Sequence, residues 1–186
     1  MQTHSLKNQL LIAMPGLADP NFFHTVTFIC EHSDSGAMGI VINRPTDIRI
    51  GEVLEQMDIE PGSREAMQDQ VFLGGPVEEQ RGFVLHSGMR GWDSTLRITE
   101  DLSVTTSRDI LEAMARGEGP EQSLVALGYA GWGGGQLEQE LLDNAWLTAP
   151  ANQVILFDLP PEQRWQAAAE LLGVDLATLS SDSGHA

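Results

Sequence analysis

The sequence predicts one α+β domain, with strands arranged as hairpins and helices placed irregularly between them. The chain has 186 residues, of which 41% are hydrophobic, so one substantial buried core is expected. Strand-like runs often follow one another directly, whereas a doubly wound sheet would require regular alternation of strands and helices. No repeat or low-complexity linker divides the chain. These three observations favour the α+β arrangement, and a doubly wound sheet is the alternative.

The N-terminal half contains short runs of apolar and β-branched residues that predict strands. We assign them to residues 9–14, 24–32, 37–43, 71–73 and 82–86. The turn sequence SDSG joins the second and third runs into a hairpin. A strong turn signal, Gly74, Gly75 and Pro76, joins the last two runs. Residues 48–57 have helical spacing and lie between these hairpins.

The C-terminal half alternates predicted strands with two clear helices. The strands are expected at residues 96–99, 102–106, 124–130 and 154–158. A capping box of Thr106 and Asp109 opens a helix over 107–116, and Gly117 ends it. Pro160 and Pro161 open a second helix over 162–172, and Gly173 ends that one.

Acidic residues dominate the charge of the chain. The 27 Asp and Glu residues against 10 Lys and Arg residues give a formal net charge of −17. Both nucleic acid and anionic membrane are disfavoured as partners, because a protein that binds them normally clusters Lys and Arg against several phosphates. No apolar run approaches the roughly 20 residues that span a bilayer, and the N-terminus lacks the basic start and apolar centre of a signal peptide. We therefore expect a cytoplasmic protein that binds neither nucleic acid nor membrane.

A glycine-rich stretch, GYAGWGGGQLEQE at residues 128–140, has the setting of an anion site, in which a strand leads through glycines into a helix. A phosphate loop would place Lys or Arg at the helix start, but Glu138 and Glu140 stand there and repel phosphate. On a helix, Gln136, Glu140 and Asn144 lie four residues apart in sequence and form a polar stripe beside Trp132. This stripe either contacts a polar ligand or partner or is the solvated face of the helix.

The cysteine and histidine residues give little support for a metal site. The single cysteine, Cys30, excludes an internal disulfide and a multi-cysteine metal centre. His24, Cys30 and His32 share one face of a predicted strand, but the residues between them on that face are apolar, so Cys30 is expected to be a small buried hydrophobe. A metal site would need His24, His32 and His86 to converge from distant segments. We predict no metal and no cofactor, while a thiol-linked dimer stays open.

No catalytic motif is recognisable in the sequence. It contains no GxSxG elbow, HExxH helix, Walker loop or Rossmann fingerprint. Ser87 follows His86 directly, and neighbours on a strand point to opposite faces, so they do not form a nucleophile and base pair. The sequence favours a protein without enzymatic activity, and an enzyme with an unrecognised active site is the alternative.

Several unusual sequence blocks stand in a fixed order along the chain. They are LIAMP (11–15), FFHTVTFICEH (22–32), GAMGIVINRP (36–45), FLGGPV (72–77), GFVLHS (82–87), GYAGWGGGQLEQEL (128–141) and NAW (144–146). In content, order and spacing these blocks resemble the bacterial AlgH/YqgE family over residues 6–172. The resemblance is specific, because many blocks coincide in order.

The resemblance implies a single domain over residues 1–186 with its core at 6–172, and we expect a flexible tail at 180–186. It also implies a branched, mostly antiparallel sheet that folds into a partial barrel with flanking helices. The family offers no established catalytic residue, substrate or cofactor to transfer. Its members are often labelled transcriptional regulators. Because the acidity of this chain disfavours direct DNA contact, we expect regulation through a protein or small-molecule partner.

Polar residues and glycines within these blocks form a candidate site for a ligand or partner. Its members are Asn43, Arg44, Gly74, Gly75, Trp132, Gln136 and Glu140. We assign Arg44 as a fork for an anion or carboxylate and Trp132 as an apolar platform. Gln136 and Glu140 would supply hydrogen bonds. The alternative is structural, since a strand can end at Asn43 and two glycines can force a sharp connection.

Overall fold

The computed structural model describes residues 5–62 and 68–183 of the chain. In this part there are ten strands: β1 (Gln9–Ala13), β2 (Val26–Ser33), β3 (Gly36–Val41), β4 (Pro45–Arg49), β5 (Gln70–Leu73), β6 (Val77–Ser87), β7 (Thr95–Arg97), β8 (Leu102–Thr105), β9 (Ser123–Gly133) and β10 (Trp146–Pro150). The helices are α1 (Ile50–Gln56), α2 (Arg108–Ala115), α3 (Gln136–Leu142), α4 (Pro161–Glu170) and α5 (Leu176–Ser183), with a π-helical turn at Val154–Asp158. None of the described helices is long and apolar enough to cross a membrane.

One curled sheet organises the domain. Its strands lie in the order β10-β1-β2-β3-β9-β6-β8-β7, and neighbours along this path are antiparallel. Strand β5 pairs in parallel with β9 and antiparallel with β4, so the sheet branches at β9. The predicted α+β domain, with a branched and mostly antiparallel sheet folded into a partial barrel beside helices, is confirmed.

Strand β9 changes its side-chain alternation at a glycine. Gly128 has a φ of +78°, and a Cβ placed there would lie 2.5 Å from the carbonyl oxygen of Gly75. Opposite it, the pairing with β6 shifts register between Val77 and Gly82. As a result Tyr129 packs in the same core as Ala126, although unbroken alternation would place these two residues on opposite faces. The bulge lets one strand serve different cores along its length.

Three apolar cores surround β9. The largest lies against the concave sheet and the C-terminal helices, with Phe28, Ile40 and Leu85 at its centre. A second core, here called the helix core, packs α1 and α2 on the sheet; its buried members are Ile50, Leu54, Ile59, Val71, Val84, Ile110, Leu111, Ala115 and Val125. The third core, here called the tryptophan core, holds Leu11, Ala13, Ile29, Ala130, Trp132, Leu137 and Trp146.

A buried arginine joins α4 to the sheet. Arg164 is 4% exposed and donates to the carbonyl oxygens of Ile42 and Leu159. Burial lowers the pKa of its guanidinium to about 10, although the negative charges of Asp158 and Glu162 act in the other direction and raise it. The guanidinium is therefore still charged at neutral pH. Its hydrogen bond to Ile42 connects α4 to the end of β3.

The predicted strand at 154–158 is wrong. The side-chain oxygen of Asn152 accepts the amide protons of Val154 and Ile155 at 2.9 and 3.2 Å and starts a helical turn. Ile155 and Leu156 are both buried although they are adjacent, which alternation along a strand exposed on one face does not allow. An apolar run of five residues cannot by itself distinguish these two structures.

Several element boundaries also differ from the prediction. The helix predicted at 48–57 begins at Ile50, because Arg49 is still extended and pairs with Gln70 of β5. The cap of α2 is Ser107 rather than Thr106, and its hydroxyl donates to Asp109 at 2.5 Å. Strands β4 and β10 and helix α5 were not predicted. Helix α5 enters the predicted tail and reaches Ser183, while residues 184–186 lie outside the described part.

Candidate functional site

Helix α3 brings three of the predicted site residues together. One carboxylate oxygen of Glu140 accepts the indole N–H groups of Trp132 at 3.2 Å and Trp146 at 2.9 Å. The other oxygen accepts from the side-chain amide of Gln136 at 3.0 Å. Gln136 in turn accepts the main-chain N–H of Gly133 at 3.0 Å. Gln136 and Glu140 of the predicted polar stripe therefore form hydrogen bonds within the chain, whereas Asn144 lies beyond the end of α3. We call the hydrogen-bonded group the Glu140 cluster.

Trp132 does not present an open platform. It is 6% exposed, its ring stacks on Phe22 at a centroid distance of 5.8 Å, and it meets Trp146 edge to face at 6.1 Å. These contacts make Trp132 part of the tryptophan core, which the sequence did not indicate because Phe22 and Trp146 lie far from it in the chain.

Asn43 and Arg44 hold a loop against the end of β3. The Asn43 amide accepts the main-chain N–H of Val26 and donates to the carbonyl oxygen of His24, both at 2.9 Å. Arg44 donates to the carbonyl oxygens of Asn21 at 2.8 Å and Phe23 at 3.0 Å. Burial lowers the pKa of Arg44, and the charge of Asp19 opposes this. The guanidinium of Arg44 does act as a fork, but it donates to main-chain carbonyl groups of the same chain.

Gly74 and Gly75 allow two strands to approach closely. A Cβ at Gly75 would lie 2.1 Å from the carbonyl carbon of Tyr129, and one at Gly74 would lie 2.4 Å from the oxygen of Gly128. Gly75 shares a small crevice of about 10 Å³ with Arg44, which is too small for an organic ligand. The seven predicted residues thus fall into two groups, and their role in binding a ligand stays a prediction.

The largest cavity lies elsewhere, between α1 and α2, and we call it the helix groove. It encloses about 1160 Å³. Val84, Val125 and Leu127 of the sheet line its floor, while Val53 and Met57 of the α1 segment and Leu111 of α2 line its walls. These side chains belong to the helix core or pack against it, so the groove lies directly over that core.

Carboxylates mark the rim of the helix groove. Glu52 and Glu55 stand on α1 and Glu79 stands on β6. Glu52 accepts the main-chain N–H of Arg49 at 2.9 Å, as expected for a capping box. Among the described residues, neither Glu55 nor Glu79 has a hydrogen bond or an ion pair through its carboxylate. The rim therefore carries negative charge that no residue in the described part of the chain neutralises.

One base lines the described part of the helix groove. Arg108 stands at the start of α2 and its Nε donates to Glu112 at 3.2 Å. Sequence reasoning missed this groove, because its residues come from α1, β6, α2 and β9. The available signal was the pair Val53 and Met57, which are apolar and four residues apart in a segment that also contains Glu52 and Glu55.

The described histidines near the sheet ends make contacts within the chain. His32 contacts Glu138 through Nε2 at 2.5 Å and accepts the main-chain N–H of Leu6 at 2.9 Å. His24 stacks between Phe23 and Trp165, with centroid distances of 3.7 and 3.9 Å. Within residues 5–62 and 68–183, no group of three or more His, Cys, Asp or Glu residues could hold a metal ion.

A buried histidine contacts the hydroxyl of a buried threonine. Nε2 of His86 lies 2.7 Å from the hydroxyl of Thr105, which lies 2.8 Å from that of Thr95. His86 and Thr105 are both 0% exposed. Burial lowers the pKa of His86, although its hydrogen bond to the carbonyl oxygen of Ser87 partly opposes this. The arrangement holds β6, β7 and β8 together and gives a substrate no access to the hydroxyl of Thr105.

The single thiol is equally inaccessible. Cys30 is 0% exposed in the largest core. Burial raises the pKa of the thiol, and the negative charge of Glu31 raises it further. The thiol is therefore protonated at neutral pH and shielded, so it cannot link two folded chains. Its prediction as a small buried hydrophobe agrees with this position.

Comparisons with known proteins identify close relatives of the whole chain. A family model described as AlgH-like matches residues 10–177. A UPF0301 protein of Thioalkalivibrio sulfidiphilus is 66% identical over 179 residues, which make up 96% of each chain. The solution structure of the AlgH protein from Pseudomonas aeruginosa is similar with a TM-score of 0.81 and 53% identity over 97% of both chains. A crystal structure from Corynebacterium diphtheriae, with a TM-score of 0.75 and 19% identity over 96% of this chain and 93% of that one, is similar in fold.

Proposed function

The chain belongs to the AlgH-like family, and we propose that it is a cytoplasmic regulatory protein without enzymatic activity, which acts by binding a partner molecule in the helix groove. The observation that carries this proposal is the combination of an apolar floor with two rim carboxylates, Glu55 and Glu79, that have no partner among the described residues. Monomeric proteins normally cover a core as fully as they can, so an opening of this size over the helix core favours a binding surface.

The arrangement of the basic residues supports a partner other than DNA. A DNA-binding surface needs free cations that can face several phosphates. Each of the eight arginines in the described part instead donates a hydrogen bond to a carbonyl or carboxylate oxygen of the same chain: Arg44, Arg49, Arg81, Arg90, Arg97, Arg108, Arg116 and Arg164. With a formal charge of −17, the protein repels a polyanion at long range as well.

A comparison of variants at two surfaces tests the proposal. The tagged protein is produced in its own bacterium and purified with whatever molecules it retains. Leu127→Asp places a charge on the groove floor, and Ile48→Asp places one at the groove edge, where the native residue is 36% exposed and folding is less at risk. Leu142→Asp is the control, because Leu142 lies on α3 and is 76% exposed.

We expect at least one partner, protein or small molecule, to be retained by the native protein and the control and lost from both groove variants. Equal retention by all four proteins would place the binding surface elsewhere. A shift of duplex DNA at low salt, or turnover of a substrate by the purified protein, would contradict the regulatory mechanism proposed here. Circular dichroism of each variant shows whether it is folded.

A further inference from the structure

The helix groove has features that point to the chemistry of its occupant. Resting on the proposed function above, we infer that the occupant is a segment of a partner protein that is both cationic and amphipathic, with lysine or arginine flanking an apolar stripe. The inference depends on the acidic residues that line the groove together with its apolar floor, on the lack of partners for two of these acids within the described part of the chain, and on the exposed rim.

The apolar part of the groove is continuous. Leu127 is partly exposed and lies beside the buried Val84 and Val125. Met57 and Val53 are also partly exposed, and both face this floor. A methionine adapts its shape to different apolar side chains, because it is unbranched and polarisable. The floor can therefore accept the apolar stripe of a peptide without requiring one exact side chain.

The acidic residues of the groove come from two different elements. Glu55 is exposed on α1 and Glu79 is exposed on β6, and both line the groove. In the described part, neither carboxylate has an ion pair, and the nearby Arg108 is already bonded to Glu112. Cationic side chains beside an apolar stripe could pair with the carboxylates of both elements. Such rim charges mainly determine partner choice and the rate of association.

The groove is large enough for a polypeptide segment. Sites for small molecules enclose about 300–1,000 Å³ and bury most of the ligand. The helix groove encloses about 1160 Å³, and its rim consists of exposed residues of α1 and β6. Proteins commonly bind an amphipathic peptide in a groove of this kind, where the anchors repeat every three or four residues. A small polycation would satisfy the acids but would leave the apolar floor uncovered.

Designed peptides test the chemistry without knowledge of the natural partner. The first probe is a fluorescein-labelled peptide of about twelve residues, with leucines at helical spacing and lysines on the flanks. In the second probe glutamate replaces every lysine, and in the third serine replaces every leucine. Fluorescence anisotropy measures the binding of each probe to the full-length protein at about 0.05 M and about 0.5 M salt, where charges are weakly and strongly screened.

We expect the first probe to bind at least about tenfold more tightly than either of the others, and more weakly at high salt. In the double variant Glu55→Gln with Glu79→Gln, its affinity should fall roughly 2- to 30-fold, as expected for the loss of two exposed ion pairs. The matched control is Glu100→Gln with Glu170→Gln, which removes the same charge from exposed positions outside the groove and should have the affinity of the native protein.

The outcomes separate this inference from the proposed function. Equal affinity for the lysine and glutamate probes, or an equal loss in the groove and control double variants, overturns the cationic character of the occupant. If spermine competes as well as the first probe, the apolar stripe is not required and the occupant is not a peptide. In each of these cases the Leu127→Asp and Ile48→Asp comparison still decides whether the groove binds a partner. If that comparison also shows no loss, the proposed function fails as well.

Discussion

The two halves of strand β9 support surfaces that differ in how they use carboxylates. On the second half, Trp132 lies beside Glu140, whose carboxylate accepts three side-chain N–H groups. On the first half, Leu127 lies in the helix groove, where the carboxylates of Glu55 and Glu79 are unpaired within the described residues. A polar group that is saturated by its own chain stabilises the fold. A polar group left open beside apolar surface is available to another molecule.

The bulge between these two halves offers the strongest test of the comparison. In Gly128→Ala the new Cβ would lie 2.5 Å from the oxygen of Gly75, and alanine would have to adopt a φ of +78°. We expect a loss of at least about 3 kcal/mol in the free energy of unfolding, from backbone strain and steric overlap together. Thermal unfolding followed by circular dichroism should show a midpoint at least about 6 °C lower.

Gly82→Ala provides the matched control for this substitution. Gly82 also lies in the sheet, on β6, but a Cβ there meets nothing within 4 Å. Its midpoint should change by less than about 2 °C in either direction. Equal decreases of the unfolding midpoint in the two variants would show that position 128 does not require glycine more than position 82 does. The bulge would then not separate the two halves of β9.

Removal of the Glu140 carboxylate, beside the second half of β9, should produce the next largest loss of stability. Glu140→Ala leaves the indole N–H groups of Trp132 and Trp146 without their acceptor, in side chains that are 6% and 3% exposed. We expect a destabilisation of about 2–4 kcal/mol, measured by urea unfolding. Tryptophan fluorescence of the folded variant should change too, because two indoles lose a charged neighbour. A loss below about 0.5 kcal/mol would mean that water replaces the carboxylate and that the cluster is not closed.

The third expected effect is a dependence of stability on pH. Burial lowers the pKa of His86 below its ordinary value of 6.5, so the folded chain binds a proton less readily than the unfolded chain. The contribution of neutral His86 to the free energy of unfolding should therefore be fully present above about pH 6.5 and decrease as the pH falls below this value. His24 acts in the same direction, because burial lowers its pKa as well.

Urea midpoints measured at about pH 7.5 and about pH 5.5 test this dependence. In His86→Asn the side chain cannot take up a proton, so the variant should start less stable but lose less between the two conditions. An unchanged pH dependence in the variant would assign the effect to other groups, among which His24 is the first to examine.

Substitution of the open carboxylates should have the smallest effect on stability. Glu55→Ala and Glu79→Ala remove groups that are exposed and have no partner among the described residues. We expect each to change the free energy of unfolding by less than about 0.5 kcal/mol, measured as for Glu140→Ala. A loss comparable with that of Glu140→Ala would remove the difference between the two surfaces. The comparison would then no longer support a binding role for the groove.

The sequence predicts the parts of the fold whose signals are local. The turn SDSG lies between β2 and β3, and the helices near 108 and 161 follow cap residues and prolines. It does not predict the π-helical turn, because a single Asn152 side chain decides between helix and strand there. Strand β10 was missed as well, since its pairing with β1 depends on a contact across most of the chain.

The candidate site shows the same limit. The meeting of Trp132 with Gln136 and Glu140 was predictable, because nine residues of one strand and helix contain all three. The hydrogen-bond partners of Arg44 were not predictable, because its side chain binds carbonyl groups of the loop near Asn21, which is distant in sequence. The helix groove could not be inferred from spacing, because four distant segments line it and because sequence does not show which carboxylates remain unpaired.

The deep burial of Cys30 has a practical consequence. A maleimide reagent can attack this thiol only after β2 has separated from its neighbours, so the rate of labelling reports opening of the largest core. The same shielding means that a cysteine introduced at the groove rim would be modified selectively while the native one remains unreacted. A spectroscopic or cross-linking probe can therefore be attached beside the proposed peptide surface without first replacing the natural residue.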